Sequence, residues 1–237
     1  ADNSFKGIFD GNNNSIRGIN KNSTATRTAL FYELTNGTIK NLSTYGSVEA
    51  GQYGSVLAGR NMGGTIDNVT NYATLSHSTG NGAGAIAGGL NNGGTITNCV
   101  NYGNVTGSAS NNKTAGIVGA LEGTKVNTIN YCKNFGEIKG ATLVGGIAGE
   151  VYASKSKCGI FNSENYGNVS SLLDTYVEGI TGKVGGIVGQ FTSSTKATSV
   201  TYMSNVINYG NVTGSSVVNS GVGGIVGEYN IKTTIEN

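Results

Sequence analysis

Residues 101–107 read Asn-Tyr-Gly-Asn-Val-Thr-Gly, and residues 208–214 read the same seven letters again. The repetition extends beyond this pair. Asn101-Tyr102-Gly103-Asn104-Val105 aligns with Thr44-Tyr45-Gly46-Ser47-Val48, Asn71-Tyr72-Ala73-Thr74-Leu75, Asn134-Phe135-Gly136-Glu137-Ile138, Asn165-Tyr166-Gly167-Asn168-Val169 and Asn208-Tyr209-Gly210-Asn211-Val212. Five residues ahead of each copy stands Ile39, Ile66, Ile96, Ile129, Ile160 or Met203, and three ahead stands Asn41, Asn68, Asn98, Tyr131, Asn162 or Asn205. A Gly-bounded apolar pair follows each copy: Val56-Leu57, Ile86-Ala87, Ile117-Val118, Ile147-Ala148, Ile187-Val188 and Ile225-Val226. Every repeat therefore has three short segments separated by Gly and Asn.

The copies begin at 44, 71, 101, 134, 165 and 208, so the period runs from 27 to 43 residues. A unit this short cannot bury its own core, but stacked units can share one. Helices do not suit the composition, because each of the many glycines among the 40 in the chain would cost about 1 kcal/mol against alanine in a helix. The expected fold is all-β: one parallel β-helix of about six coils of three short strands, right-handed, spanning 1–237. Residues 1–32 form an irregular first coil or cap and 33–237 the repeats. Each aligned column then becomes a ladder, with Tyr45, Tyr72, Tyr102, Phe135, Tyr166 and Tyr209 stacked at one corner. Asn101, Asn134, Asn165 and Asn208 form another, their amides bonding from coil to coil. Asn and Gly suit the corners because both tolerate a left-handed backbone, and the absence of proline preserves ladder donors. The last residues, Thr234-Ile235-Glu236-Asn237, restart the repeat, which suggests a fragment of a longer chain.

A formal charge of +2 with no run of Lys or Arg gives no footprint for nucleic acid or an anionic membrane. Apolar stretches such as residues 185–189 are too short to insert in a bilayer. The three cysteines show no CxxC spacing and His77 is the sole histidine, so neither a metal nor another cofactor is expected. Cys99 and Cys132 share a column and are expected as buried free thiols.

Several stretches carry candidate chemistry. Asp10-Gly-Asn-Asn-Asn-Ser15 places oxygens at alternate positions, as a calcium loop does. Ser15 and Lys21 stand where that loop needs Gly and Glu, so a Gly-Asn hairpin turn is the expectation. His77 is expected to be solvated at a polar corner. Glu150, Gln190 and Glu228 share one column; a polysaccharide lyase or glycoside hydrolase built on a β-helix would need clustered carboxylates. The two glutamates stand two coils apart, about 10 Å by stacking, and no catalytic residue is assigned. The outward column Glu49, Ser76, Thr106, Lys139, Ser170 and Thr213 mixes charges with hydroxyls, unlike the flat threonine face that ice binding requires. Insertions at Ser171–Val184 and Thr192–Thr201, with a smaller one at Ser154–Cys158, lengthen consecutive coils. Inserted loops often form the binding face of a solenoid. Tyr152, Tyr176, Phe191 and Tyr229 lie in or near them and, with Glu150 and Glu228, are the candidate ligand-binding residues, since rings stack on sugars or anchor proteins.

The run FKGIFDGNNNSIRGI, followed by ALFYEL, NGTIKNL and the GGIVG units, resembles bacterial surface proteins with GLUG-type repeats over Phe5–Asn237. Gly116-Ile-Val-Gly119, Gly146-Ile-Ala-Gly149, Gly186-Ile-Val-Gly189 and Gly224-Ile-Val-Gly227 keep the signature, while Ala29-Leu30-Phe31-Tyr32 lacks both glycines. Such repeats occur in adhesin-like, cell-wall-linked proteins and in non-catalytic parts of IgA-cleaving metallopeptidases, whose HExxH zinc motif is missing here. The resemblance implies display at the cell surface, outside the cell. The expected role is non-enzymatic: an adhesin binding host glycan or extracellular protein, or a rigid stalk, with a carbohydrate-active enzyme as the alternative.

Overall fold

Ile96 pairs in parallel register with Ile66 on one side and Ile129 on the other, and the same column runs on through Ile160 to Met203. The column of Val48, Leu75, Val105, Ile138, Val169 and Val212 is likewise in register. Both point into the solenoid, where their side chains fill two buried apolar clusters. The sequence columns are thus the physical rungs of a parallel β-solenoid. The structure, a computed structural model, describes residues 3–78, 80–108, 113–154, 157–173, 181–195, 199–217 and 220–230, and the backbone of 233–236.

One coil illustrates the path. Thr95–Thr97, Val100–Asn101 and Val105–Thr106 lie in a broad sheet, Lys113–Ala115 in a second, and Val118–Gly123 in a third. Among the described residues, the three sheets hold 17, five and eight strands. About five turns therefore carry strands on every face, against the six copies counted in sequence. In the coil of Tyr45 the second face shrinks to a single bridge between Gly54 and Ala83.

The structure departs from the sequence columns at two places. Ala58 pairs with Ala87, so the apolar pair equivalent to Ile86-Ala87 is Leu57-Ala58, one residue later than Val56-Leu57. Asp10 to Ser15 does not reverse the chain as a hairpin would. Ile8–Asn22 runs parallel to Thr38–Ala50, with Phe9 on Ile39 and Ile16 on Thr44, and it takes up extra residues at two register shifts. Asn12 and Asn13 both adopt left-handed backbone at φ 49° and 59°, where later coils use one residue, such as Asn41 at 54°. Ile8–Asn22 thus forms an irregular first coil.

Two asparagine columns hold the corners. Asn41, Asn68, Asn98, Asn162 and Asn205, with Tyr131 among them, all have φ between 47° and 54°, the left-handed turn that lets the chain bend between strands. The second column, Asn71, Asn101, Asn134, Asn165 and Asn208, is mostly buried. There each amide donates to the carbonyl two residues on, as from Asn101 to Gly103 at 2.8 Å, and the first four also donate to the next coil's Asn Oδ1 at 2.8 Å. This ladder also explains the first glycine of the GIVG signature. A Cβ on Gly146 would stand 2.3 Å from Asn165 Cγ and 2.2 Å from the Gly186 carbonyl oxygen. The ring ladder forms as the columns require, with Tyr45, Tyr72, Tyr102, Phe135, Tyr166 and Tyr209 stacked at centroid spacings of 4.5 to 5.0 Å.

Candidate functional site

Val48, Leu75 and Val105 point inward, so strand alternation turns the residues on either side of them outward. Ser47 and Glu49, Thr74 and Ser76, and Asn104 and Thr106 consequently form two parallel polar columns, begun in the first coil by Asn20 and Asn22. Lys21 stands opposite Val48, an aliphatic position in every later coil, and as the first rung it is exposed. Together these residues line a groove of about 400 Å³ across four coils. A hollow of about 180 Å³ adjoins it through Glu49, Ser76 and Thr106 and reaches His77, Ser78 and Gly107. Another, of about 330 Å³, adjoins at Lys21 and extends to Arg27 and Tyr32.

The hydrogen-bonding pattern of this lining is distinctive. Asn104 Oδ1 accepts from the Glu137 N–H at 2.9 Å. The side chains of Asn20, Lys21, Asn22, Ser47, Glu49, Thr74, Ser76 and Thr106 bond to nothing else in the described chain. Among the described residues, the charged side chains without an ion pair, hydrogen bond or ring contact are Lys21, Glu49 and Lys125, and two of these three line the groove.

His77 contradicts the expectation of a solvated corner. It stacks on Ala50, is 3% exposed, and neither ring nitrogen has a hydrogen-bonding partner. Burial pushes its pKa down to about 4; the Gly51 backbone opposes that shift without reaching hydrogen-bonding geometry.

The residues expected to bind ligand do not converge. Phe191 is fully buried, because it follows outward-facing Gln190 and joins the inward column of Leu90, Leu121 and Val151. It cannot touch a ligand. Tyr229 occupies the next rung of that column and is 72% exposed, as the outermost described rung of its sheet. Tyr152 lies in a different column, between Glu122 and Thr192. Tyr176 lies outside the described residues. The described flanks of the insertions pack back on the solenoid: Leu173 is buried with Ala141 and Val217, and Ser194 and Ser199 both donate to the Ser154 carbonyl at 2.8 Å.

Glu150 and Glu228 are engaged by lysines from the neighbouring sheet. Glu228 pairs with Lys183 at 2.8 Å and accepts from Gln190 at 3.0 Å, and the Lys183 contact holds its carboxyl below the usual range. Lys113 bridges Glu150, at 2.6 Å, and Glu122. Burial keeps the Glu150 carboxyl above its ordinary range despite that lysine. Burial works against the Lys113 charge, and the two carboxylates overcome it and raise the ammonium's pKa. Glu122 escaped the column alignment because the strand Val118–Gly123 outruns the repeated glycine pair, although its outward parity follows from Ala120 and Glu150. Cys99, Cys132 and Cys158 are buried and free, and burial raises the Cys99 thiol well above its ordinary range.

The chain matches no protein-family model and no curated protein sequence. Its fold is similar to the crystal structure of a putative immunoglobulin A1 protease from Bacteroides ovatus, with a TM-score of 0.64 and 24% identity over 99% of this chain and 66% of that one. The chain thus spans just under two thirds of that protein's length. The likeness establishes a shared β-helix architecture.

Proposed function

We propose that this chain is a non-enzymatic, extracellular β-helix module of a cell-surface protein, and that it acts in adhesion by holding a glycan in the groove between Asn20 and Thr106. The observation that carries this reading is the groove's lining of hydroxyls, amides and two charges, whose side chains, Asn104 apart, bond to nothing in the described chain. Sugars present dense donors and acceptors, and a rigid platform with unsatisfied polar groups meets them at small entropic cost. The resemblance to GLUG-type surface repeats supports display outside the cell.

Binding of the purified chain to a panel of glycans and matrix proteins, beside Ser76→Arg, tests the reading. Saturable glycan binding that Ser76→Arg abolishes is the expected result. Binding to proteins alone, or to nothing, would contradict it and favour a protein adhesin or a bare stalk.

One observation favours an enzyme as the second reading: Glu150, with its raised carboxyl pKa, stands beside a second carboxylate on Lys113. A raised carboxyl can serve as a general acid. That reading requires product release from a bound polysaccharide, abolished by Glu150→Gln with binding intact.

A further inference from the structure

We infer that the groove's occupant is an extended, sparsely charged acidic polysaccharide lying along the solenoid axis, in which a uronic acid alternates with an N-acetylated hexosamine. This rests on the glycan-binding reading above. Three features of the lining carry it.

Spacing comes first. The lining repeats once per coil, at about 4.8 Å, which is close to the advance of an extended glycan per sugar. Four coils contribute to the groove, from Asn20 through Ser47 and Thr74 to Asn104, so it presents one set of polar groups to each of four consecutive sugars.

The second feature is the order of the charges. Lys21 belongs to the first coil and Glu49 to the second, and the two do not pair with each other. A cation followed one coil later by an anion suits a carboxylate-bearing sugar followed by one that donates a hydrogen bond, such as an N-acetyl N–H or a hydroxyl. Charge-assisted hydrogen bonds of this kind are stronger than neutral ones and would set the register of the strand.

The third feature is the neutral stretch beyond Glu49. Thr74, Ser76 and Thr106 offer uncharged hydroxyls in the third and fourth coils, with no further free cation in the groove among the described residues. A heavily sulfated chain would meet one lysine and the repulsion of Glu49. An alternating chain places one carboxylate on Lys21, the next sugar's N–H on Glu49, and its second carboxylate against the donating hydroxyls of Thr74 and Ser76.

The test uses the 237-residue chain and two tetrasaccharides of equal length: a hyaluronan fragment, in which glucuronate and N-acetylglucosamine alternate, and chitotetraose, which contains N-acetylglucosamine alone. Isothermal titration is run on the parent chain, Lys21→Gln, Glu49→Gln and Lys125→Gln. The last removes a lysine outside the groove that is unpaired among the described residues, and thermal melts verify folding of each variant. The expected result is about tenfold tighter binding of the hyaluronan fragment. Lys21→Gln erases that preference, Glu49→Gln weakens both ligands, Lys125→Gln changes neither, and affinity stops rising beyond four sugars. Equal affinity for the two fragments, or a preference that survives Lys21→Gln, overturns the inference while leaving a neutral-glycan groove standing. If neither these fragments nor any glycan of the broader panel binds, the inference and the adhesion reading fall together.

Discussion

Two polar columns run along the same face of this solenoid, a few residues apart, and they use their hydrogen bonds in opposite ways. In the column of Asn71, Asn101, Asn134, Asn165 and Asn208, the amides bond to the coils above and below and to their own strand. In the column of Glu49, Ser76 and Thr106, the side chains bond to nothing within the described chain. Both columns repeat once per coil, so periodicity alone does not tell scaffold from recognition surface. Burial and hydrogen-bond satisfaction do. A polar column that is closed on itself holds the coils together, whereas an open one is available to a ligand.

The largest effect tests the closed column. Asn134→Ala removes the acceptor of the Asn101 amide and the donors to Asn165 and Gly136, all in buried surroundings. It is expected to cost about 3 to 4 kcal/mol, since each orphaned buried group is worth about 1 to 3 kcal/mol. Urea denaturation measures this, and a loss under about 1 kcal/mol would mean that water replaces the ladder freely.

His77 stands between the two columns in kind, being buried like the closed one and unsatisfied like the open one. Its pKa falls from 6.5 to about 4 on folding. The unfolded chain therefore takes up a proton on acidification before the folded chain does. Stability is full above pH 6.5 and declines as pH falls toward 4, by about 3 kcal/mol from this group. His77→Leu should flatten that part of the stability profile and raise stability at neutral pH, because no unpaired nitrogen is then buried. An unchanged profile would show that the ring reaches water.

Smaller effects come from the exposed corner. Asn98→Ala keeps the fold but places a Cβ residue without a compensating side-chain bond at φ 52° and deletes the bond to Asp67. A loss of about 1 kcal/mol is expected, with Asn98→Gly recovering most of it. Least of all should the open column matter to folding. Ser76→Arg and Thr106→Arg are expected to leave stability within about 0.5 kcal/mol while removing glycan binding.

Much of the fold could be read from residue spacing. Ile39 through Met203, and Asn71 through Asn208, pair as their alignment requires, because parallel stacking places equivalent residues one coil apart. The offset at Leu57-Ala58 arose because Val56 is also apolar, so the glycine frame, not hydrophobicity, sets that register. The site was far less visible. Phe191 drew attention as an aromatic near an insertion, yet its parity with Val151 sends it into the core. Ser47, Ser76 and Thr106 looked unremarkable because concavity comes from how neighbouring coils and corners sit, which no single column encodes. Lys21 gave a signal that was available: a charge on the rung where later coils carry Val48, Leu75 and Val105.

Amide hydrogen exchange of the chain, with and without saturating hyaluronan tetrasaccharide, shows where on the solenoid the ligand lies. The groove account predicts slower exchange confined to Asn20–Asn22, Ser47–Glu49, Thr74–Ser76 and Asn104–Thr106. Protection that instead falls on the insertions around Leu172–Lys183 and Thr192–Thr201, with the groove unchanged, would contradict it.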